Sequence, residues 1–335
     1  MPEKPEVQSF ADSLNKLLAG EELLELKLDK KSRYRKAGKS LANLPTLNNS
    51  LPLTIKRVWS KGKKIIFDLG RIFLVSSLGL EGKWIPKPQN HSNLWLVYEV
   101  ESGDTTKEKK IYFDDVRHHG TLEIIVGKRE LETRLAKIGP DLLNDDVTVK
   151  QWLKVYRQKV LANKEICKVM MEQKYFSGIG NYIKAMALYK AGIRPDALIE
   201  ELEDKDLAVL YKYVKRIIRD AYEARGASIR SYKDFNGDKG DFKVEVYGKK
   251  HDKKGREVIV TVHSDGRSTH WVPSYQVIPS PWEGPPKLSK TKLKKSSGRG
   301  ADTYNANELK GFCKQYKVSQ IGTKEEMVKR LIKVV

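Results

Sequence analysis

Apolar residues recur at helical spacing near the start of the chain, at Val7, Phe10, Leu14, Leu17 and Leu18. They predict a helix over residues 6–27, with a stop signal at Ala19-Gly20. From about 52 to 128 the pattern changes to short β-rich runs, at 64–69, 72–75, 94–98 and 111–113. Gly70, Gly79, Gly82, Gly103 and Gly120 punctuate them. Such runs predict an antiparallel sandwich or barrel. Residues 129–150 read as a polar connector that contains Ile138-Gly139-Pro140-Asp141. From 151 to 225 the pattern is helical again, most clearly at Leu207, Leu210, Tyr211, Val214, Ile217 and Ile218. Residues 226–243 read as a long flexible loop. Two strands follow, around 244–247 and 257–262, with a third piece at 269–272. Residues 279–300, rich in Pro, Lys, Ser and Gly, read as a basic linker, and 303–334 as helical.

These elements give six segments: an N-terminal sandwich at 1–128, the connector at 129–150 and a helical domain with its loop at 151–243. A finger at 244–278, the linker at 279–300 and a C-terminal motif at 301–335 complete the chain. The fold class is α+β. With 335 residues there is room for two domains and a small module. Lys and Arg number 64 against 43 Asp and Glu, a formal charge of +21, which favours a polyanionic partner. No apolar run approaches the length of a membrane span, and the N-terminus lacks a basic-then-apolar signal pattern. An intracellular protein with no membrane partner is expected. The two cysteines, Cys167 and Cys313, lack ligand spacing, so neither a disulfide framework nor a cysteine-based zinc site is expected.

Chemistry concentrates at the start, Met1-Pro2-Glu3-Lys4-Pro5-Glu6-Val7. Removal of Met1 exposes Pro2, whose amine is secondary. An α-amino group titrates near pH ~8, so much of it is nucleophilic at neutral pH. Its attack on a sugar C1′ gives an iminium ion directly. Glu3 is placed to move a proton beside it. The bland reading is a charged, disordered terminus. A second candidate is the loop Phe176-Ser177-Gly178-Ile179-Gly180-Asn181-Tyr182 between two helical patterns. Its glycines allow close approach to a phosphate, and a helix start follows. The bland alternative is a plain interhelical turn.

Six short motifs occur in order: Pro2-Glu3 with Pro5-Glu6-Val7, Lys61-Gly62-Lys63, Ser77-Leu78-Gly79-Leu80-Glu81-Gly82, Asp115-Val116-Arg117, Ile138-Gly139-Pro140-Asp141 and Gly178-Ile179-Gly180-Asn181-Tyr182. Their order resembles the formamidopyrimidine-DNA glycosylase/endonuclease VIII family over roughly residues 1–277. The resemblance implies an N-terminal antiparallel β-sandwich followed by a helix–two-turn–helix domain. It implies excision of oxidised bases followed by strand nicking, with no metal or organic cofactor in the chemistry. Pro2 matches the nucleophile, Glu3 the proton shuttle, Glu6 the residue that helps hold the site, and Lys63 the hairpin lysine that contacts the phosphate beside the lesion. Asn181 matches the asparagine that binds the same phosphate region. Arg117, Leu80 and His119 match the side chains that plug the gap left by a flipped nucleotide. Two domains would then clamp kinked duplex DNA, the sandwich carrying Pro2 and the helical domain the phosphate clamp.

Three positions depart from the family's pattern. His119 stands where Phe is usual, which weakens wedge insertion. Met186 stands where Glu is common, so local repacking is expected. The finger lacks the four zinc-binding cysteines. It does contain Asp265-Gly266-Arg267-Ser268-Thr269, similar to the arginine-bearing tip of a zincless finger, with Arg267 reaching phosphate. His251, His263 and His270 lie in this segment without a cysteine, so no metal is expected. Ser228, Arg230 and Tyr232 match a lesion-capping loop in residue type, which favours oxidised purines. The zincless finger also occurs in members that prefer oxidised pyrimidines, so both stay open. The C-terminal segment, with its Ile321-Gly322-Thr323-Lys324 turn, resembles a SAP motif that binds DNA nonspecifically. The expected partner is damaged double-stranded DNA, or single-stranded or bubble DNA, bound by a monomer. The alternatives are a catalytically inactive protein that binds damaged DNA on the same fold, and an RNA-binding protein.

Overall fold

The computed structural model describes residues 2–30, 32–35, 41–102, 105–228, 234–235, 237–279, 288, 290–297, 303–316 and 318–335. They form two compact units. The first comprises residues 1–146, 173–178 and 218–243, and the second 147–172, 179–217 and 244–335.

The first unit opens with helix α1 (Lys4–Leu18), whose start is favoured by Pro5 in its first turn. Strand β1 (Glu22–Leu28), a short helix α2 (Leu44–Asn48) and eight more strands follow. These are β2 (Leu53–Thr54), β3 (Arg57–Lys61), β4 (Lys64–Asp68), β5 (Ile72–Ser77), β6 (Lys83–Ile85), β7 (Ser92–Ser102), β8 (Thr105–Asp114) and β9 (Thr121–Val126), and helix α3 (Lys128–Leu135) closes the series. The strands make two antiparallel sheets, β2-β1-β7-β8-β6 and β3-β4-β5-β9. The apolar stripe of α1 (Val7, Phe10, Ala11, Leu14 and Leu18) is buried in one core with both sheets. Each of its larger side chains contributes about 1.5–3 kcal/mol. Trp84 stands at the centre, edge-on to Phe67 with ring centroids 5.2 Å apart, and its indole N–H donates to Ser76 Oγ at 3.1 Å. The outer face of the second sheet, with Ile66, Phe73, Val75 and Ile125, is covered by Leu131 of α3. Burial on both faces explains why β4 and β5 read as nearly continuous apolar runs.

The second unit contains α4 (Val149–Tyr156), α5 (Ile166–Met171), α6 (Asn181–Ala191), most of α7 (Asp204–Glu223), the hairpin β10 (Ile259–Val262) and β11 (Ser268–Trp271), and helices α8 (Lys290–Lys295), α9 (Ala306–Gln315) and α10 (Lys324–Val334). Thr323 caps α10, its hydroxyl accepting from Glu326 N. Leu288, Leu293, Leu309, Cys313, Met327, Val328 and Leu331 form a small core of their own. Helix α9 also lies against the hairpin, so closely that a Cβ on Gly311 would stand 2.6 Å from a Val262 methyl. Among the described residues no helix is long and apolar enough to cross a membrane.

Several sequence expectations change. The helix expected over 6–27 ends at Leu18, and 22–28 is strand β1. A β-bulge between Leu23 and Glu25 puts Leu23 and Leu26 on the same face, which mimics the i, i+3 spacing of a helix. The connector over 129–150 contains most of α3, held by the exposed Glu130–Arg134 pair. No strand forms at 244–247, the strand expected over 257–262 begins at Ile259, and the piece expected at 269–272 is strand β11, one residue earlier. The basic linker over 279–300 contains α8, because Leu288 and Leu293 supply apolar anchors that its composition hides. The helical stretch 303–334 is two helices with a turn at Gly322.

Candidate active site

In the first unit, Pro2 and Glu3 lead into α1 and are buried. The Glu3 backbone N–H donates to Glu6 Oε2 at 2.8 Å, and the other Glu6 oxygen accepts from Ala227 N at 2.8 Å. Glu6 therefore joins the residue beside Pro2 to the start of the 226–243 segment. Lys63 stands in the two-residue turn between β3 and β4, where Gly62 takes φ +54°, a left-handed conformation suited to glycine. Pro2, Lys63, Leu80 and His119 line one pocket of ≈ 170 Å³, with Ser77 and Gly79 among its walls. The turn at 79–81 lies directly on residues 119–120. A Cβ on Gly79 would stand 2.5 Å from His119 C, so only glycine permits this approach. Gly120 N donates to the buried Asp115 carboxylate at 2.8 Å, which fixes the second turn. Arg117 is exposed beside it and pairs with Glu81 at 3.2 Å. It is not among the residues that line the pocket.

Ser228 is exposed, with its N–H donating to Phe242 O at 2.8 Å, and a bridge between Ala227 and Phe242 pins the ends of the loop. Arg230 and Tyr232 lie outside the described residues.

In the second unit, Asn181 begins α6, and its amide Nδ2 donates to Ser268 O at 2.7 Å. It thus ties this helix to the finger. Arg267 is exposed at the hairpin tip, its backbone N–H held by Asp265 Oδ1 at 2.9 Å, with Gly266 at φ +69°. Asp265 in turn pairs with Lys184 of α6 at 2.5 Å, both side chains almost fully buried. Met186, where the sequence suggested repacking, is buried and its sulfur accepts from Glu245 N at 3.1 Å. The thioether is a weak acceptor.

Sequence reasoning missed one cluster. Glu165, Cys167 and His263 bring a carboxylate oxygen, a thiol and a ring nitrogen within 4.8 Å of one another. The expectation that His263 lacks a cysteine partner is corrected: the cysteine comes from α5, far along the chain. The set does not fit a metal ion. Glu165 Oε2 already accepts from Ser264 N at 2.8 Å and Ser264 Oγ at 2.7 Å, and a ring nitrogen of His263 pairs with Thr261 Oγ1 at 2.6 Å. The Lys184 ammonium acts on both Cys167 and His263, and a dication beside it would be repelled. Nor does the finger segment fit the four-cysteine zinc site of the family, since it has no cysteine.

Burial, reinforced by Lys184, pushes His263 down to about 3. Between its ordinary pKa near 6.5 and about 3, the unfolded chain binds a proton that the folded chain refuses. Stability must therefore fall as pH drops through that window. An NMR titration of the histidine rings is expected to show His263 neutral until near pH 3. Protonation of this ring at pH 6 would remove the argument.

Comparison with known proteins adds the family context. The sequence profile of the formamidopyrimidine-DNA glycosylase N-terminal domain matches residues 1–122, and that of the formamidopyrimidine-DNA glycosylase H2TH domain matches residues 138–233. The chain is 28% identical over 291 residues to formamidopyrimidine-DNA glycosylase of Cytobacillus firmus, covering 83% of this chain and 100% of that one. It is 27% identical over 280 residues to the enzyme of the same name from Bacillus subtilis (strain 168), covering 81% and 97%. Among solved structures it is similar to the MutM (Fpg) protein of Thermus thermophilus, with TM-score 0.69, 26% identity, and coverage of 82% of this chain and 98% of that one. It is equally similar to a Lactococcus lactis Fpg mutant in complex with DNA containing Fapy-dG, with TM-score 0.69, 26% identity, and coverage of 82% and 99%.

Proposed function

This chain belongs to the formamidopyrimidine-DNA glycosylase/endonuclease VIII family, and from that premise we propose that it is a DNA glycosylase of base excision repair that also cleaves the abasic strand. The observation that carries the reading is the pocket in which Pro2 meets Lys63, Leu80 and His119. Their gathering around one cavity supports reading Pro2 as the nucleophile, Lys63 as the phosphate-binding cation, and Leu80 and His119 as plug side chains.

The Pro2 amine, freed by removal of Met1, attacks C1′ of the flipped nucleotide, and the damaged base leaves with the electrons of its glycosidic bond. Glu3 assists opening of the sugar ring by proton transfer. The resulting iminium acidifies the C2′ proton. Its loss breaks the 3′ C–O bond by β-elimination, and δ-elimination can then release the sugar. Flipping costs a few kcal/mol. Phosphate contacts from Lys63 and Arg267, and insertion of Leu80 and Arg117 into the duplex, offset it. Asn181 adds to the phosphate contacts through the helix start that it opens. The substrates are oxidised bases: formamidopyrimidines and 8-oxoguanine, favoured by the segment from Ser228 that is similar to a lesion-capping loop, and/or oxidised pyrimidines, which the zincless finger favours. The C-terminal helices add sequence-independent phosphate contacts.

Borohydride trapping tests this. The mature protein is mixed with duplexes carrying a formamidopyrimidine, 8-oxoguanine, thymine glycol or an abasic site. Borohydride should reduce the iminium to a stable protein–DNA bond mapped to Pro2, and the yields rank the lesions. No adduct on any duplex, with binding intact, would leave a protein that binds damage without catalysis.

A further inference from the structure

Lys4 directly follows Glu3, and its side chain turns into the protein rather than towards solvent. An ammonium has three N–H donors. Those of Lys4 meet Asp141 Oδ2 at 2.7 Å, Ser60 Oγ at 2.7 Å and Gln8 Oε1 at 2.8 Å. The side chains of Lys4 and Asp141 are fully buried. Asp141 is equally saturated. Its Oδ2 also accepts from Gly62 N at 2.9 Å, and its Oδ1 accepts from Leu143 N at 2.9 Å and Asn144 N at 3.3 Å. Gly62 immediately precedes Lys63. One carboxylate therefore bridges the residue after Pro2-Glu3 and the turn that carries Lys63.

The backbone around this bridge has no slack. Lys4 N donates to Gly178 O at 3.0 Å, and a Cβ on Gly178, already at φ +92°, would stand 2.5 Å from Lys4 Cβ. A Cβ on Gly62 would stand 2.8 Å from Ser177 Cβ. Ser177 is itself anchored, N–H to Pro140 O at 2.9 Å and hydroxyl to Gly139 O at 2.8 Å. The two glycine-containing motifs at 138–141 and 176–178 thus clasp Lys4 and Gly62 from one side.

A buried ion pair is a poor way to add stability, since an apolar pair of similar volume does as well or better. What it adds is direction, because charge-assisted hydrogen bonds hold distance and angle. We propose that the Lys4–Asp141 pair is a positioning device, which holds Pro2-Glu3 in fixed register with Lys63 so that the amine and the phosphate-binding cation engage the same nucleotide. This rests on the reading of Pro2 as nucleophile. A displacement of about 1 Å between reacting groups can cost a hundredfold in rate, so the device acts on the chemical step rather than on binding.

The test is Lys4→Met, which keeps length and removes charge. The single-turnover rate of borohydride trapping on an abasic duplex should fall about 10- to 100-fold. The Kd for a duplex with an uncleavable abasic analogue should stay within about threefold, at a temperature where thermal unfolding shows the variant folded. The losses from Lys4→Met and Lys63→Ala should combine less than additively, because both act on the same alignment. Should Lys4→Met not fold, Ser60→Ala removes one acceptor without a charge change and should slow trapping about threefold with Kd unchanged. A folded Lys4→Met that traps within twofold of the unmodified protein overturns the proposal, as do strictly additive losses or, where Lys4→Met does not fold, a Ser60→Ala rate equal to that of the unmodified protein. Absence of any adduct from the unmodified protein would instead take down the Pro2 reading, and the proposal with it.

Discussion

A chain made with an irremovable extension before Pro2 should lose base excision and borohydride trapping altogether. With Met1 or a tag in place the proline nitrogen is a tertiary amide, and its lone pair is delocalised into the carbonyl. Pro2→Gly differs in kind. Its primary amine still adds to C1′ of an existing abasic site, but the imine it forms must be protonated before it withdraws electrons, whereas proline's iminium is charged at any pH. Base excision by Pro2→Gly should fall by at least about a thousandfold, a common scale for loss of an enzyme nucleophile, while some trapping on abasic DNA survives. Affinity for a duplex with an uncleavable abasic analogue should change little in Pro2→Gly, because Lys63, Arg117 and Arg267 are untouched. Trapping by the extended chain at an undiminished rate would place the nucleophile elsewhere, most simply on a lysine, and a peptide map of the adduct would name it.

What was legible in the sequence was whatever depends on near neighbours. The stripe Val7, Phe10, Leu14 and Leu18 gave α1, and the β-rich runs gave the strands that carry Lys63, Leu80 and His119 to one pocket. Strand β1 was hidden because its bulge gives a strand the spacing of a helix. Helix α8 was hidden because a lysine-rich composition masks Leu288 and Leu293. Two buried ion pairs among the described residues were illegible for a deeper reason. Lys4–Asp141 and Lys184–Asp265 join residues remote in the chain, and nothing local distinguishes these lysines from the many on the surface. The cluster of Glu165, Cys167 and His263 was missed likewise, since spacing rules for ligands see only what is close in sequence. The C-terminal helices read as a separate motif beyond a basic linker, yet the close approach of Gly311 to Val262 seats α9 on the finger.

Lys184→Met should be among the most damaging single changes in the second unit, at about 3–5 kcal/mol, because it leaves the Asp265 charge buried without its partner. The pair fastens the finger tip to α6. Asp265 holds Arg267 N, Glu165 holds Ser264 from the other side, and Asn181 holds Ser268 O. Once the Lys184 anchor is gone, these bonds must keep the tip in place against a desolvated carboxylate that seeks water. Two readouts should move together. Denaturant unfolding should show the loss of stability, and the salt dependence of duplex binding should flatten by about one phosphate contact as Arg267 loses its place. The double change Lys184→Met with Asp265→Leu separates charge from packing, since it removes both ions and keeps the site filled. It should recover most of the stability but not the salt slope, because Arg267 N has no carboxylate to hold it. If single and double variants are equally unstable, the loss is one of packing around α6. If instead the single variant keeps both its stability and its salt slope, the pair neither fastens the finger nor sets the position of Arg267.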